Sequence, residues 1–209
     1  VPGVGTRNGQ KDNALSMALG LLEAGVIGNT DFAIDLIKVT LQNYIKINTE
    51  ISVREIKFDI FGFSRGAAAA RHFSNRIYRS DKDIAAAINS GLGSLIYSGK
   101  GKTPTGKIRF MGLFDTVAAV GDVGNGFNPH NNRNGDVDLY LPVGIAERVF
   151  QISAMHECRY NFSLNSIKPS YPEISLPGVH SDIGGGYNPQ ENEYLFLNRP
   201  QFHIVPLNI

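Results

Sequence analysis

The chain has 209 residues, is 42% hydrophobic and carries a formal net charge of +1. That length suits one α/β domain with an ample core, and 1–209 is read as a single domain. The near-zero charge, without long runs of one sign, leaves no electrostatic footprint for nucleic acid, and no apolar stretch approaches the ~20 residues of a membrane span. Cys158 is the one cysteine, so an internal disulfide is excluded. It is expected to be a small buried apolar residue, and the chain to be made in a reducing compartment, later export remaining open.

Val1-Pro2-Gly3-Val4-Gly5-Thr6 opens a Gly/Pro/Asn-rich loop without an initiating methionine or signal-peptide design. The chain is therefore expected to be incomplete at its N-terminal side. Residues 13–24 read as a helix with Leu15, Ala18, Leu19 and Leu22 on one side, stopped by Gly25. Asn29, Thr30 and Asp31 offer N-cap chemistry for a longer helix, in which Ile34, Ile37, Leu41, Tyr44 and Ile45 recur at helical spacing. Residues 52–63 read as a strand, 65–78 as a helix with Ala70, Phe73 and Ile77 inward, and 81–89 as a short helix with an acidic first turn.

Between that strand and the first of those helices stands Gly62-Phe63-Ser64-Arg65-Gly66. The pattern is the G-x-S-x-G nucleophile elbow, in the strand–turn–helix setting that the motif requires. Gly62 and Gly66 are expected to let strand and helix pack closely around the turn. The competing reading is a serine in an ordinary glycine turn, which the apolar strand and small-residue helix at its flanks disfavour.

Residues 108–114 form the second clear strand, nearly all apolar as a strand covered on both faces should be, with Asp115 at its end. A long Gly/Asn/Asp loop over 121–138 follows. Pro142 can begin a helix to about Met155 with Ile145, Val149, Ile152 and Met155 inward. Residues 174–176 are a third strand candidate, leading into Gly178-Val179-His180-Ser181-Asp182-Ile183-Gly184-Gly185-Gly186-Tyr187. The tail over 194–206 contains two possible strands.

Strands alternating with helices predict a mostly parallel sheet, whose ligands bind beyond the carboxyl ends of the strands. Ser64, Asp115 and His180 all follow strand candidates, in the Ser–acid–His order of the α/β-hydrolases. A serine hydroxyl needs a neutral imidazole to take its proton and an acid to orient that imidazole. His130, His156 and His203 also satisfy the order. They read more simply as a solvated loop residue, a cation at a helix C-terminus, and a core or edge histidine. Asp182 is too near His180 in sequence to aim at it and reads as a turn aspartate bonding its own loop. Asp122, Asp136 and Asp138 lie in the long loop. Clustered loop carboxylates can take Ca²⁺, and Asp122 and Asp182 are the positions where a metal would be sought. Their spacing matches no calcium loop, so no cofactor is expected. The oxyanion donors are expected to be the Arg65 amide, just after the nucleophile, and the amide of Val4 or Gly5 in the opening glycine loop.

Gly62–Ala67, Phe114-Asp115-Thr116-Val117 and Pro177–Tyr187 together resemble the α/β-hydrolase domain of the type VI secretion lipase effectors and their uncharacterised bacterial and fungal relatives. Pro2–Thr6 resembles that family's loop after an early strand, so the likeness spans residues 2 to about 187. The resemblance implies an α/β-hydrolase-like three-layer sandwich and a phospholipase of the A type, cleaving a fatty-acyl ester of glycerophospholipids. It implies Ser64 as nucleophile, Asp115 as acid and His180 as base. It also implies delivery from one bacterium into another's periplasm, a spike or adaptor for loading, and a cognate immunity protein. The strands expected before residue 2 and a membrane-docking module are not seen in the sequence. Two other readings compatible with the residues are a soluble esterase or acyltransferase on small esters, and a non-catalytic hydrolase-fold module that binds a protein.

Overall fold

A computed structural model describes residues 25–48, 51, 53–93, 106–118, 133–134 and 137–186. The expected helix over 13–24, the glycine loop with Val4 and Gly5, most of the long loop with Asp122, His130 and Asp136, and the tail with His203 lie outside the described residues.

In chain order the elements are α1 (Val26–Ile47), β1 (Lys57–Phe63), α2 (Arg65–Tyr78), α3 (Lys82–Leu92), β2 (Lys107–Phe114), the two-residue strands β3 (Arg133–Asn134) and β4 (Val137–Asp138), and β5 (Arg148–Ala154). A 3₁₀ turn (Tyr160–Phe162), β6 (Glu173–Leu176) and a four-residue helix α4 (His180–Ile183) complete them. The main sheet runs β1-β2-β5-β6, parallel throughout, flanked by helices in the α/β three-layer arrangement. Phe63 of β1 lies opposite Phe114, Phe114 opposite Ile152, and Ala154 opposite Leu176. All four strands therefore run out at one edge of the sheet, where the chain leaves them for functional loops.

The helix after the elbow packs tightly because its inner positions are small. Ala67 and Ala68 are completely buried, with Ala70, Phe73 and Ile77 continuing the face at helical spacing. The Phe73 ring meets Phe58 of β1 edge-on at 6.0 Å. Ile84, Ile88 and Leu92 of α3 close the same core over Ile108, Met111 and Leu113. Each such fully buried aliphatic side chain contributes roughly 1.5–3 kcal/mol relative to exposure. At the start of α3, Asp81 accepts from the amides of Asp83 and Ile84, and it also pairs with Arg76 at 2.8 Å. Burying the base of the Arg76 side chain among three aspartates, Asp31, Asp81 and Asp83, joins α1, α2 and α3.

Several expectations need correction. The long helix α1 begins at Val26, behind Gly25, three to five residues before the proposed caps. Thr30 is buried and returns its hydroxyl to Ile27 O at 2.6 Å instead. The strand entering the elbow begins at Lys57 and not at residue 52. The expected loop over 121–138 contains the short antiparallel pair β3–β4 at its end. Cys158 is exposed.

The largest departure is at 142–155, expected as a helix and observed as a turn followed by strand β5. Val149, Gln151 and Ser153 alternate into the interior, while Met155, assigned to an inner helix face, is more than half exposed. The period of two was hidden because two of the inward residues are polar. Gln151 is completely buried and satisfied: its amide donates to Glu173 Oε2 at 2.7 Å and to Asn165 O at 3.3 Å, and Thr116 donates to its carbonyl. Arg71 of α2 reaches the same region, donating to Leu139 O at 2.7 Å and Asn165 O at 2.8 Å. Burial pulls the Arg71 guanidinium down to about 10, against the opposing pull of Glu173 and Asp138. Among the described residues no helix is long and apolar enough to cross a membrane.

Candidate active site

Ser64 occupies the one-residue joint between β1 and α2. Its φ of 56° and ψ of −127° lie in a region that non-glycine residues rarely adopt, at a cost of about 1–3 kcal/mol. Hydrogen bonds on both sides of the residue hold that conformation. Its amide donates to Phe114 O at 2.9 Å, and its carbonyl accepts from Ala67 at 3.0 Å, Ala68 at 3.2 Å and Val117 at 3.4 Å. Gly62 is required by close approach: a Cβ there would stand 2.3 Å from Gly66 O and 2.6 Å from Ala67 N, both backbone. The parallel expectation for Gly66 is not met among the described residues, none of which a Cβ there would meet within 4 Å. What matters at residue 66 is its carbonyl, against which Gly62 packs.

Among the described residues the amides of Arg65 and Gly66 have no backbone acceptor, so the first turn of α2 presents two donors beside Ser64. This is the position expected for the Arg65 contribution to an oxyanion site.

Asp115 stands one residue beyond β2, with φ of 42° and its amide bonded to Ile152 O at 2.7 Å. Its carboxylate is buried, and each oxygen has a partner. Oδ1 accepts from the Ala154 amide at 2.9 Å, and Oδ2 faces His180 Nδ1 at 2.7 Å. His180 is 3% exposed. A buried carboxylate that can only accept selects the tautomer with a proton on Nδ1, leaving the Nε2 lone pair as a base. The imidazole contacts two aromatic rings, Phe63 at 4.6 Å and a 30° tilt, and Phe162 edge-on at 4.8 Å and 64°. Phe63 is the residue before Ser64, so the serine and the imidazole are joined through one ring. Gly184 makes room for that ring, since a Cβ there would stand 2.4 Å from it. No hydrogen bond joins the Ser64 hydroxyl to His180 among the described residues; such catalytic contacts are often long before substrate binds.

The rival residues have other work. His156 follows β5 and not a helix, and its Nδ1 accepts from the Gly178 amide at 3.1 Å, securing the corner that leads to His180. Asp182 accepts from the Val179 amide at 2.7 Å, the turn role expected for it. Asp138 pairs with Arg79 and accepts from the Tyr140 amide at 3.0 Å. Among the described residues no group of three His, Cys, Asp or Glu side chains is placed to hold a metal ion.

Glu157 was not singled out from the sequence. Its Oε2 accepts from the His180 amide at 3.2 Å, and its carboxylate takes the Arg159 guanidinium at 2.8 and 2.7 Å. The Arg159 side chain, then the amides of Arg159 and His180, hold the Glu157 carboxyl down at about 2. Nothing in its local sequence marks its link to the base, because the His180 amide comes from the far side of β6.

A cleft of about 650 Å³ lies between α1 and β1–α2, with apolar walls that include Leu36, Phe58, Ile60 and Phe73. It reaches Gly62, Phe63 and Gly66 at one end and Ile56 at the other. Ile56 precedes β1, so most of the cleft runs down the flank of the sheet, away from the edge that holds Asp115 and His180.

A strained serine at a strand–helix joint, with a buried acid–imidazole pair beyond β2 and β6 at the same edge of the parallel sheet, defines the architecture of an α/β-hydrolase-type site. Residues 96–207, more than half of the chain, match the family described as T6SS, phospholipase effector Tle1-like, catalytic domain. The chain belongs to the type VI secretion system (T6SS) phospholipase effector family of Tle1-like proteins. It is similar to the solved structure of the Tle1 effector bound to the VgrG spike from the type VI secretion system, at 50% identity and a TM-score of 0.70. That match covers 84% of this chain and 32% of the effector, so this chain spans about a third of the solved relative. An uncharacterized protein from Pseudomonas aeruginosa matches at 25% identity over 74% of this chain and 22% of its own, with a TM-score of 0.39, too low to define a shared fold. No curated protein sequence matches the chain.

Proposed function

We propose that this domain hydrolyses a fatty-acyl ester of glycerophospholipids through Ser64, His180 and Asp115. The observation that carries the reading is the buried Asp115–His180 pair at the same sheet edge as the strained Ser64. His180 Nε2 takes the Ser64 proton as the hydroxyl oxygen attacks the ester carbonyl. Asp115, accepting from Nδ1–H, stabilises the imidazolium so formed. The Arg65 amide is one donor to the oxyanion, and the amide of Val4 or Gly5 is proposed as the second. His180 then protonates the departing lysophospholipid alcohol, and water activated by the same imidazole releases the fatty acid from Ser64. Protein groups alone supply this chemistry, so EDTA is expected to leave turnover unchanged, and a calcium requirement at Asp122 or Asp182 would show as its loss.

Family membership supports an effector role. We place its site of action in the periplasm of a target bacterium, after synthesis in the producer's cytoplasm. The solved Tle1 effector is bound to a VgrG spike, and a spike of that kind is the proposed carrier here, with an immunity protein as the proposed antagonist.

The test is release of fatty acid from vesicles of phosphatidylethanolamine and phosphatidylglycerol labelled separately in the two acyl chains. Wild type is expected to release one labelled acid and a lysolipid, with Ser64→Ala reducing release at least about a thousandfold. Equal release by Ser64→Ala would overturn the reading. Turnover of short p-nitrophenyl esters with no response to vesicles would assign a soluble esterase instead.

A further inference from the structure

His180 is held at more points than its bond to Asp115 requires. Its amide donates to Glu157 Oε2 at 3.2 Å. Glu157, its side chain only 6% exposed, takes a two-point contact from Arg159. The Arg159 guanidinium then lies 3.8 Å above the centre of the Phe162 ring, and the Phe162 ring meets the His180 imidazole at 4.8 Å. The chain of contacts thus starts at the backbone of His180 and returns to its side chain. A carboxylate–guanidinium fork fixes geometry as well as charge, and a guanidinium over an aromatic face holds that ring in place.

We propose that Glu157, through Arg159 and Phe162, is a positioning residue that sets the His180 imidazole against Asp115 and presents its Nε2 toward Ser64. Asp115 alone does not determine the ring's place: one hydrogen bond leaves the imidazole free to swing about Nδ1. The Phe63 ring lies tilted against the imidazole and the Phe162 ring meets it edge-on, but Phe162 sits in a 3₁₀ turn without a buried residue of its own. Its ring is kept at the imidazole by Arg159, and Arg159 is kept there by Glu157. The charged and titratable groups around His180 are Asp115 from the end of β2, Glu157 and Arg159 from the segment after β5, His156 at the Gly178 corner, and Asp182 on α4 itself. Of these, Glu157 accepts a hydrogen bond from the His180 backbone.

The catalytic part of this proposal rests on the triad reading above. Misplacing a base by about 1 Å costs on the order of a hundredfold, so Glu157→Ala is expected to lower kcat roughly ten- to a hundredfold with KM little changed. Glu157→Gln keeps an acceptor for the His180 amide and is expected to recover part of that loss. Arg76→Ala, which breaks ion pairs far from the site, controls for general destabilisation. The distinguishing readout is the NMR resonance of the proton shared between His180 Nδ1 and Asp115. It is expected to broaden or vanish in Glu157→Ala, weaken in Phe162→Leu, and persist in Arg76→Ala. An unchanged resonance in folded Glu157→Ala, or equal kinetic losses in Glu157→Ala and Arg76→Ala, would overturn the proposal. If wild type shows no Ser64-dependent turnover, the phospholipase reading fails, and the resonance alone decides whether Glu157 positions the imidazole.

Discussion

The two halves of the site are built in opposite ways. The nucleophile half is local: Gly62, Ser64, Gly66 and Ala67 are neighbours in the chain, and the close contact that shapes the turn runs between residues four and five apart. The base half is assembled from distant segments. Asp115 follows β2, Ala154 ends β5, Glu157 and Phe162 follow β5, and His180 follows β6. A local motif tolerates little change at its few required positions, because the backbone itself makes the contact. A distributed one depends on the register of the sheet, and its members can fail separately.

The largest expected effect tests the distributed half. Asp115→Asn should lower kcat on the order of 10³–10⁴-fold while the fold persists, since an amide at residue 115 no longer selects the Nδ1–H tautomer. Steady-state hydrolysis of labelled vesicles, with circular dichroism as the check on folding, measures it. Loss of less than tenfold would mean that Asp115 does not orient the base.

Next comes the local half. Gly62→Ala drives a methyl into the Gly66 carbonyl and the Ala67 amide, and neither can move without unwinding α2. A loss of at least about 3 kcal/mol is expected from urea denaturation, at the upper end of ordinary overpacking. Gly66→Ala is the contrast. Its added methyl meets nothing within 4 Å among the described residues, and alanine favours a helix over glycine by roughly 0.5–1 kcal/mol. It should therefore be neutral to slightly stabilising in the same denaturation series. Equal losses at the two glycines would break the distinction between a required contact and a motif letter.

The smallest effect concerns acid. The folded-state carboxyl of Glu157 titrates near 2, below its ordinary 4.5. Its contribution to stability is therefore complete above about pH 4.5 and is lost as the pH falls from there toward 2. Glu157→Gln should lose less stability than wild type across that window, seen as a shallower fall in the urea midpoint. An unchanged slope would remove Glu157 from the acid response.

Much of this architecture was legible in the chain. The apolar runs at β1 and β2 and the helical spacing of Ala70, Phe73 and Ile77 follow from local periodicity; β2 and the helix face appear where they are expected, and β1 ends there but starts later, at Lys57. The parallel sheet and the pairing of Asp115 with His180 followed from strand–helix alternation together with chain order. What was not legible was polar and long-range. Gln151 and Ser153 face inward in β5 because Asn165, Glu173 and Ser175 are there to bond them, so the alternation that marks a strand was disguised as a helix. His156 looked like a helix-end cation because its true partner, the Gly178 amide, is 22 residues away.

The sequence by itself determined which residue types stand at the ends of the apolar strands, because alternation and glycine placement are encoded within a few residues of one another. Tertiary structure decided how those residues meet. It bent Ser64 and Asp115 into positive φ, closed Phe63 and Phe162 over His180, and tied Glu157 to the His180 backbone. Those arrangements depend on the register between β2, β5 and β6, a property of paired strands that no single stretch of chain contains.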